Sequence, residues 1–244
     1  MVSWQVRRVA ETGSTNADVV TLATAGAAEG TVLVADYQSA GRGRLGRSWQ
    51  APPGTGLAVS LLLRPTKVPA HRWTWLPLLT GVVVVEALRS HPGAEATLKW
   101  PNDVQMGSAK LAGILVERVD GPAGAAAVVG VGLNISAAPS GATSLLAAGF
   151  PGTSRDEVLA AFLDRFARRY GQWRIGVGDP QPWLVQAYSD GCDTLGREVE
   201  AHVPGQPTIF GRAVAVDGDG RLVVRTSSGD VAVGAGDVTH LRTV

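Results

Sequence analysis

The stretch ATLKWPNDVQMGSAKLAGILVERV, residues 96–119, decides the fold. Its apolar residues fall into short runs separated by Pro101 and by the Gly107–Ser108 pair, which are signals for chain reversal. The pattern predicts a strand that ends at Pro101, followed by a β-hairpin. The predicted strands lie at 96–100, 104–106 and 110–119. Polar residues therefore collect at the strand ends, where sheets commonly carry ligand sites.

The segments on both sides of this stretch read as further apolar strands and helices. Strands are predicted at 2–10, 31–37, 56–64 and 125–136. Helices are predicted from Ser14 or Thr15 to about Ala27, from Trp73 to Ser90, over 154–175 and over 180–189. The second of these helices is apolar nearly all round, which is typical of a buried helix. We expect an α+β fold in which helices flank a central sheet.

The character of the chain changes after Asp190. Residues 197–244 consist of short alternating segments separated by Gly/Asp turns, such as DGDG at 217–220. This spacing is typical of a small all-β barrel. We therefore expect two domains, residues 1–190 and residues 191–244.

Composition limits the classes of protein that the chain can be. One cysteine in 244 residues excludes a disulfide framework and a multi-cysteine metal site, and it fits a reducing compartment. The 22 Lys+Arg and 21 Asp+Glu give a net charge of +1, which disfavours a general polyanion binder. The four histidines have no metal-ligand spacing. Because no signal peptide or membrane span is recognisable, we expect a cytoplasmic protein without membrane contact.

Residues 41–47, GRGRLGR, lie in a long segment without helical or strand periodicity. Between Tyr37 and Val85 there are six Lys or Arg residues and no acidic residue. Arginine side chains and glycine N–H groups together favour binding of a phosphate or carboxylate. A dinucleotide fingerprint is rejected because residues 48–53 cannot open a helix, and no Walker A motif is present. From composition alone, a solvated basic loop or a nucleic-acid contact is an equally good interpretation.

Several other positions have both a functional and a structural interpretation. Asn102 and Asp103 could bind a ligand or Mg²⁺, or they could form a chain-reversing Asx turn. Lys110 enters a buried strand, where its ammonium either meets an anion or extends into water. Gly130 and Gly132 in a buried strand indicate either close approach of a ligand or tight packing.

Six segments together resemble the biotin protein ligases. They are Ser14-Thr15-Asn16, GRGRLGR at 41–47, KWPNDV at 99–104, KLAGILVE at 110–117, VGVGLNIS at 129–136 and Ala142-Thr143-Ser144-Leu145. The similarity covers nearly all of residues 10–150, and the pairing of GRGRLGR with KWPND is highly specific. The resemblance implies a class II synthetase-like catalytic domain with a central mixed sheet and flanking helices. It also implies a small C-terminal SH3-like β-barrel. Here the similarity lies in the pattern of short alternating segments and turns, not in a sequence motif.

The resemblance implies a two-step reaction with ATP and biotin as substrates and with Mg²⁺. The biotin carboxylate attacks the α-phosphate of ATP, which gives biotinyl-5′-AMP and pyrophosphate. A lysine of a biotin carboxyl carrier domain, part of a biotin-dependent carboxylase such as acetyl-CoA carboxylase, then attacks the mixed anhydride and releases AMP. Positive side chains are needed because the first step brings a carboxylate and a polyphosphate together.

The site residues implied by the resemblance follow from the family motifs, position by position. Lys110 and Arg44 are the implied catalytic charges, and Asp103 is the implied metal ligand. The implied biotin-binding residues are Ser14, Thr15, Asn16, Gln38, Arg42, Gly43, Arg44, Lys110, Gly113 and Leu115. The implied ATP and adenylate residues are Gly41, Arg42, Arg44, Arg47, Trp49, Asn102, Asp103, Gly130, Gly132 and Asn134.

We call residues 39–50 the arginine loop. Because anionic ligands would supply the partners that order it, we expect this loop to be disordered in the free protein. Closure of the loop over the ligands would shield a reactive anhydride from water.

Many family members begin with a DNA-binding winged helix, whereas here the catalytic pattern starts at the first strand. We therefore expect a ligase without repressor function and without DNA as a partner, either a monomer or a ligand-dependent homodimer. The nearest alternative is a lipoate or octanoate protein ligase of the same fold. Transferases of that group use a cysteine in the core domain, and Cys192 is badly placed for this role. A non-catalytic biotin-binding protein and a nucleic-acid-binding protein are further alternatives.

Overall fold

The computed structural model describes residues 2–89, 91, 93–234 and 236–241. Within these residues the chain forms a large mixed sheet, a small antiparallel sheet and helices packed on the large sheet. The large sheet contains β1 (Gln5–Thr12), β2 (Thr31–Gln38), β3 (Gly56–Leu63), β4 (Ala96–Lys99), β5 (Asp103–Met106), β6 (Ala109–Gly121) and β7 (Gly124–Asn134). The small sheet contains β8 (Glu198–His202), β9 (Ile209–Val216), β10 (Leu222–Thr226), β11 (Gly229–Val233) and β12 (Asp237–His240). The helices are α1 (Thr15–Thr24), α2 (Leu76–Leu88), α3 (Arg155–Ile175) and α4 (Trp183–Gly191).

The strand order of the large sheet is β1-β2-β3-β7-β6-β5-β4. Strands β1 and β2 are parallel, and the other neighbouring strands are antiparallel. The predicted mixed sheet and the β5–β6 hairpin are therefore confirmed. The small sheet has the order β11-β10-β9-β8-β12 and is antiparallel throughout, as expected for an SH3-like domain.

The two faces of the large sheet differ because side chains alternate along each strand. On one face, residues such as Val59 and Val129 pack with the apolar helix α2 and the aromatic stripe of α3 in the main core. On the other face, Leu62 and Val128 pack against α1 in a smaller apolar cluster. Toward the other end of this second face, β7 carries glycine instead of a large side chain. The α1 face is thus the one on which a cleft can form.

Several predicted boundaries differ from the observed ones. The helix predicted from Trp73 begins as a 3₁₀ helix over Ala70–Trp75, and α2 starts at Leu76. Its predicted end, Ser90, lies outside the described residues. Helix α1 ends at Thr24 rather than near Ala27, because Gly26 adopts a left-handed conformation (φ 89°) that a helix cannot continue.

Buried tryptophans join the small sheet to the large one. The indole Nε1 of Trp100 donates to the Gly220 carbonyl at 3.0 Å, and that of Trp75 donates to the Gly218 carbonyl at 2.8 Å. Residues 235 and 242–244 of the predicted barrel lie outside the described residues, and the exact domain boundary at 190/191 stays a prediction. In the described ranges, no helix combines the length and apolarity needed to cross a membrane.

Substituting Trp100→Phe should lower the free energy of unfolding by about 1–3 kcal/mol, because the buried Gly220 carbonyl loses its indole donor. Urea denaturation would measure the loss. Trp183→Phe is a matched control, because this half-buried ring stacks on Arg169 and its substitution should cost less than about 1 kcal/mol. An equal loss in both variants would contradict the role given to the Trp100 hydrogen bond.

Candidate functional site

A cleft of about 280 Å³ opens on the α1 face of the large sheet. Its floor is formed by β6 and β7, one wall by the start of α1 and the other by the arginine loop. Residues 237–239 of the small sheet complete the rim. The cleft therefore lies where the large sheet, the arginine loop and the small sheet meet.

The structure brings most of the predicted site residues together in this cleft. Those that line it are Ser14, Thr15, Asn16, Gln38, Arg42, Gly43, Arg44, Arg47, Trp49, Asn102, Asp103, Lys110, Gly113, Leu115, Gly130 and Gly132. Gly41 and Asn134 do not line it. A side chain at Gly41 would meet the Trp49 carbonyl at 2.5 Å, so this glycine lets the arginine loop fold back on itself.

Asn134 supports a neighbouring turn. Its Nδ2 donates to the Thr143 carbonyl at 3.0 Å, while its buried Oδ1 has no partner among the described residues. The nucleotide-binding role given to Asn134 stays a prediction, and the contact it makes here is structural.

The floor of the cleft is bare because Gly113 and Gly132 lie side by side on β6 and β7. The indole of Trp49 lies directly on this pair. A Cβ at Gly132 would come within 2.3 Å of Trp49 Cε2, and one at Gly113 within 3.2 Å of Trp49 Cζ3. In this conformation Trp49 covers the predicted biotin floor at Gly113, so a ligand bound there requires the indole to move.

One end of the cleft is lined mainly by uncharged polar side chains, with the ion pair of Arg42 and Glu117 beside them. Ser14 caps α1 by accepting a hydrogen bond from the backbone N–H of Ala17, which fixes Thr15 and Asn16 at the start of the helix. Gln38 Oε1 accepts hydrogen bonds from the Thr15 backbone N–H at 2.8 Å and from the Thr15 hydroxyl at 3.0 Å. Ser14, Thr15 and Asn16 are all buried.

The other end of the cleft is cationic. Lys110 Nζ lies 2.7 Å from Asp103 Oδ1 and 5.9 Å from the centre of the Trp49 ring. Arg44 donates to Asn102 Oδ1 at 2.9 Å. Burial lowers the pKa of the Arg44 guanidinium from its ordinary value; Asp103 raises it and Arg47 lowers it further. A partly desolvated cation of this kind is stabilised by an incoming anion.

The arginine loop contacts the small sheet in the described conformation. Arg44 donates to the Gly236 carbonyl at 3.2 Å, and Arg47 forms an ion pair with Asp237. Within the loop, a 3₁₀ turn over Arg44–Gly46 and a bridge between Arg42 and Ser48 bring the arginines to the cleft. These contacts show one closed arrangement; disorder of the loop in the free protein stays a prediction.

A magnesium ion would find the Asp103 carboxylate, which pairs with Lys110 and lies near Arg44. The other carboxylate that lines the cleft, that of Asp237, is paired with Arg47. Among the described residues there is no cluster of three or more His, Cys, Asp or Glu side chains suited to hold a metal. Mg²⁺ typically binds one or two carboxylates and takes its other ligands from phosphates and water. The site thus fits a Mg²⁺ ion that accompanies a polyphosphate.

Several residues at the cleft were not among the predicted site residues, although Lys99 and Glu117 stand inside the quoted motifs. Lys99 and residues 237–239 line it directly, while Ser60 and Glu117 lie behind its polar end. A single serine in the apolar strand GLAVSLLLR was the available signal for Ser60. The small-sheet residues had none, because their approach to the cleft depends on how the two sheets pack.

Comparisons with known proteins agree with this geometry. The model of the biotin/lipoate A/B protein ligase family matches residues 8–134, and the model of the biotin protein ligase C-terminal domain matches residues 194–241. A biotin–[acetyl-CoA-carboxylase] ligase from Mycobacterium tuberculosis is 40% identical, over 98% of this chain and 90% of that protein. A protein of the same name from Paracoccus denitrificans is 32% identical, over 94% of this chain and 98% of its own length.

A solved structure shares the whole architecture. The biotin protein ligase from Aquifex aeolicus in complex with biotin and ATP superposes with a TM-score of 0.82 at 28% identity, over 98% of this chain and 99% of that one. The chain therefore belongs to the biotin protein ligase family. It is accordingly an enzyme of the ligase class.

Substituting Gly130→Ala should lower the free energy of unfolding by about 1–3 kcal/mol, because the new methyl group would lie 2.0 Å from Asn16 Oδ1. Gly171→Ala is the matched control. Its methyl group meets nothing within 4 Å, and alanine inside a helix should stabilise by about 0.5–1 kcal/mol. Urea denaturation would compare them, and a Gly130→Ala variant as stable as wild type would contradict the tight contact with Asn16.

Proposed function

We propose that the protein activates biotin with ATP to biotinyl-5′-AMP and transfers the biotin to a lysine of a biotin carboxyl carrier domain. The observation that carries this proposal is the contrast between the two ends of one cleft. At one end lie the uncharged polar side chains of Thr15, Asn16 and Gln38, bordered by the Arg42–Glu117 ion pair. Arg44 and Lys110 form a cationic end. Biotin has the same division, since a ureido ring and a carboxylate occupy opposite ends of the molecule.

In the first step, a carboxylate oxygen of biotin attacks the α-phosphorus of ATP, and the bond to the pyrophosphate oxygen breaks. Lys110 and Arg44 offset the repulsion between the carboxylate and the phosphates and stabilise the charge that develops. Lys110 is held in place by Asp103 at 2.7 Å before the anions arrive. Bound Mg²⁺, with Asp103 as its protein ligand, would neutralise part of the polyphosphate charge.

In the second step, the neutral amine of the acceptor lysine attacks the acyl carbon of the adenylate. The acyl–oxygen bond breaks, AMP leaves, the attacking nitrogen gives up one proton to solvent and an amide forms. Water is a competing nucleophile, so the anhydride has to be shielded until the acceptor arrives. The arginine loop, closed by Arg44 on Gly236 and by Arg47 on Asp237, supplies such a cover.

The polar end of the cleft favours biotin over lipoate or octanoate. Thr15 and Asn16 are buried there, and an alkyl chain or a dithiolane ring would leave their hydrogen-bonding atoms without new partners. A site that binds a substrate through hydrogen bonds strongly rejects analogues that lack the matching groups. The same cleft therefore argues against the alternative of a lipoate or octanoate ligase.

The proposal also covers the partners and location of the protein. The acceptor is the biotin carboxyl carrier domain of a biotin-dependent carboxylase, in keeping with the names of the M. tuberculosis and P. denitrificans relatives. The protein works in the cytoplasm, without DNA, as a monomer or as a ligand-dependent homodimer. The arginines that a nucleic-acid contact would use face the cleft instead.

With biotin, ATP and Mg²⁺, the wild-type protein should release pyrophosphate, and Lys110→Ala and Arg44→Ala should each reduce the rate by about 10²–10³-fold because they remove charge stabilisation. Lys67→Ala, at an exposed lysine outside the cleft, should have the wild-type rate. Lipoate and octanoate should give no turnover. Turnover with lipoate but not with biotin would show that lipoate is the substrate. If no acid gave turnover, the ligase proposal would be contradicted.

Trypsin should cleave the free protein within the arginine loop, at Arg42, Arg44 or Arg47, because the loop opens without ligands. Biotin and ATP together, each at roughly ten times its Kd, should slow this cleavage at least about tenfold by reducing the open population. Asp237→Asn removes the partner of Arg47 and should speed cleavage of the free protein. Cleavage elsewhere in the chain, or equal rates with and without ligands, would contradict an opening loop.

A further inference from the structure

Two side chains behind the polar end of the cleft contact Asn16, one of the residues that line this end. Ser60, fully buried on β3, and Glu117, on β6, both hydrogen-bond to Asn16. Neither of them lines the cleft. Their effect on a ligand must therefore pass through Asn16.

The partners of Asn16 fix the orientation of its amide. Nδ2 donates to Glu117 Oε2 at 2.8 Å and to the Leu115 carbonyl at 3.3 Å, and both of these oxygens can only accept. Oδ1 accepts from the Ser60 hydroxyl at 2.6 Å. Both amide hydrogens are thus occupied, while Oδ1 keeps one lone pair. Asn16 presents an acceptor, and no donor, to the cleft.

The sheet register makes this arrangement possible. Ser60, Gly130 and Leu115 lie in one row across β3, β7 and β6. The Asn16 side chain crosses this row above Gly130, where a Cβ would lie 2.0 Å from Oδ1. Only a glycine in the middle strand lets one amide reach a serine on one neighbouring strand and a carbonyl on the other.

The hydrogen-bond chain continues beyond Asn16 and is one proton short. The Ser60 hydroxyl has one proton but two acceptors within reach, Asn16 Oδ1 at 2.6 Å and the Thr15 hydroxyl oxygen at 2.8 Å. The Thr15 hydroxyl donates its own proton to Gln38 Oε1 at 3.0 Å, so it has none left for Ser60. A ligand that donates hydrogen bonds at this end satisfies the chain.

We infer that Ser60 and Glu117 are positioning residues that hold Asn16 as an acceptor for an N–H group of the cyclic urea of the substrate. This inference rests on the proposed function, since it specifies how the same cleft recognises the ring of biotin. Ser60 acts as the donor to Oδ1, and Glu117 holds Nδ2 away from the ligand. Both set the specificity for a hydrogen-bonding ring without touching it.

A double-mutant cycle on biotin binding tests the role of Ser60. Isothermal titration would give the biotin Kd of the wild type, Ser60→Ala, Asn16→Ala and the double variant. Ser60→Ala should raise the Kd about tenfold, the effect of one buried hydrogen bond. Because Ser60 acts through Asn16, the double variant should bind no more weakly than Asn16→Ala alone. The KM for ATP should stay at its wild-type value in Ser60→Ala.

Conservative substitutions separate positioning from a merely structural role. Glu117→Gln keeps an oxygen that accepts from Asn16 but loses the ion pair with Arg42, whose Nη2 lies 3.5 Å from Glu117 Oε2. It should therefore bind biotin nearly as wild type does, whereas Glu117→Ala should weaken binding about tenfold. If Ser60→Ala folds poorly, Ser60→Cys replaces it in the test, because cysteine is close to serine in size but is a weak donor. It should raise the biotin Kd by a similar factor.

The outcomes distinguish this inference from the proposed function. Additive effects in the double variant, or wild-type affinity in both Ser60→Ala and Ser60→Cys, would overturn the positioning role of Ser60. An equal loss of biotin affinity in Glu117→Gln and Glu117→Ala would show that Glu117 acts through its ion pair with Arg42, and it would overturn the role of Glu117 in positioning Asn16. A wild-type protein that does not bind biotin would overturn the proposed function itself.

Discussion

The site depends on the absence of side chains on one face of two adjacent strands. At Gly113, Gly130 and Gly132, β6 and β7 leave room on the α1 face, while the opposite face carries the aliphatic residues of the main core. Asn16 occupies the space above Gly130, and Trp49 occupies the space above Gly132. A methyl group at either position would displace a residue of the site, so the strands provide the core and the cleft at once.

The charged parts of the site are assembled from segments far apart in sequence. Lys110 and Asp103 come from the β5–β6 hairpin, and Arg44 comes from a loop without regular strand or helix structure. The small sheet contributes the Gly236 carbonyl and the Asp237 carboxylate, which contact the same loop. These loop contacts are hydrogen bonds and a partly exposed ion pair, which contribute little stability. Anionic ligands can therefore replace them at low cost.

Local patterns predicted the strands and helices because hydrophobic periodicity and Gly/Pro signals act over short distances. The Ser14 cap, the β5–β6 hairpin and the cluster of residues in the cleft were all predicted in this way or from motifs. Residues whose role depends on packing were missed. Ser60 is one polar residue in an apolar strand. In the sequence Asp237 resembles an ordinary turn residue, and only the packing of the small sheet on the large one places it at the cleft.

Tertiary contacts also resolve two positions that the sequence left open. Gly130 serves close packing against Asn16, a protein side chain, rather than direct approach of a ligand alone. The ammonium of Lys110 is neither free in water nor fully buried, since Asp103 holds it while it remains partly exposed at the cleft. Both outcomes depend on contacts with other elements, with α1 at Gly130 and with β5 at Lys110, which a single strand does not reveal.

Mass spectrometry of the protein incubated with biotin, ATP and Mg²⁺, without an acceptor protein, tests the central claim most directly. The account predicts that native spectra show one biotinyl-5′-AMP retained per chain, because the closed loop shields the anhydride from water. It also predicts that adding a biotin carboxyl carrier domain removes the adenylate and adds one biotin to that domain. A protein that retains biotin and ATP unchanged, with no adenylate and no modified acceptor, would contradict the account.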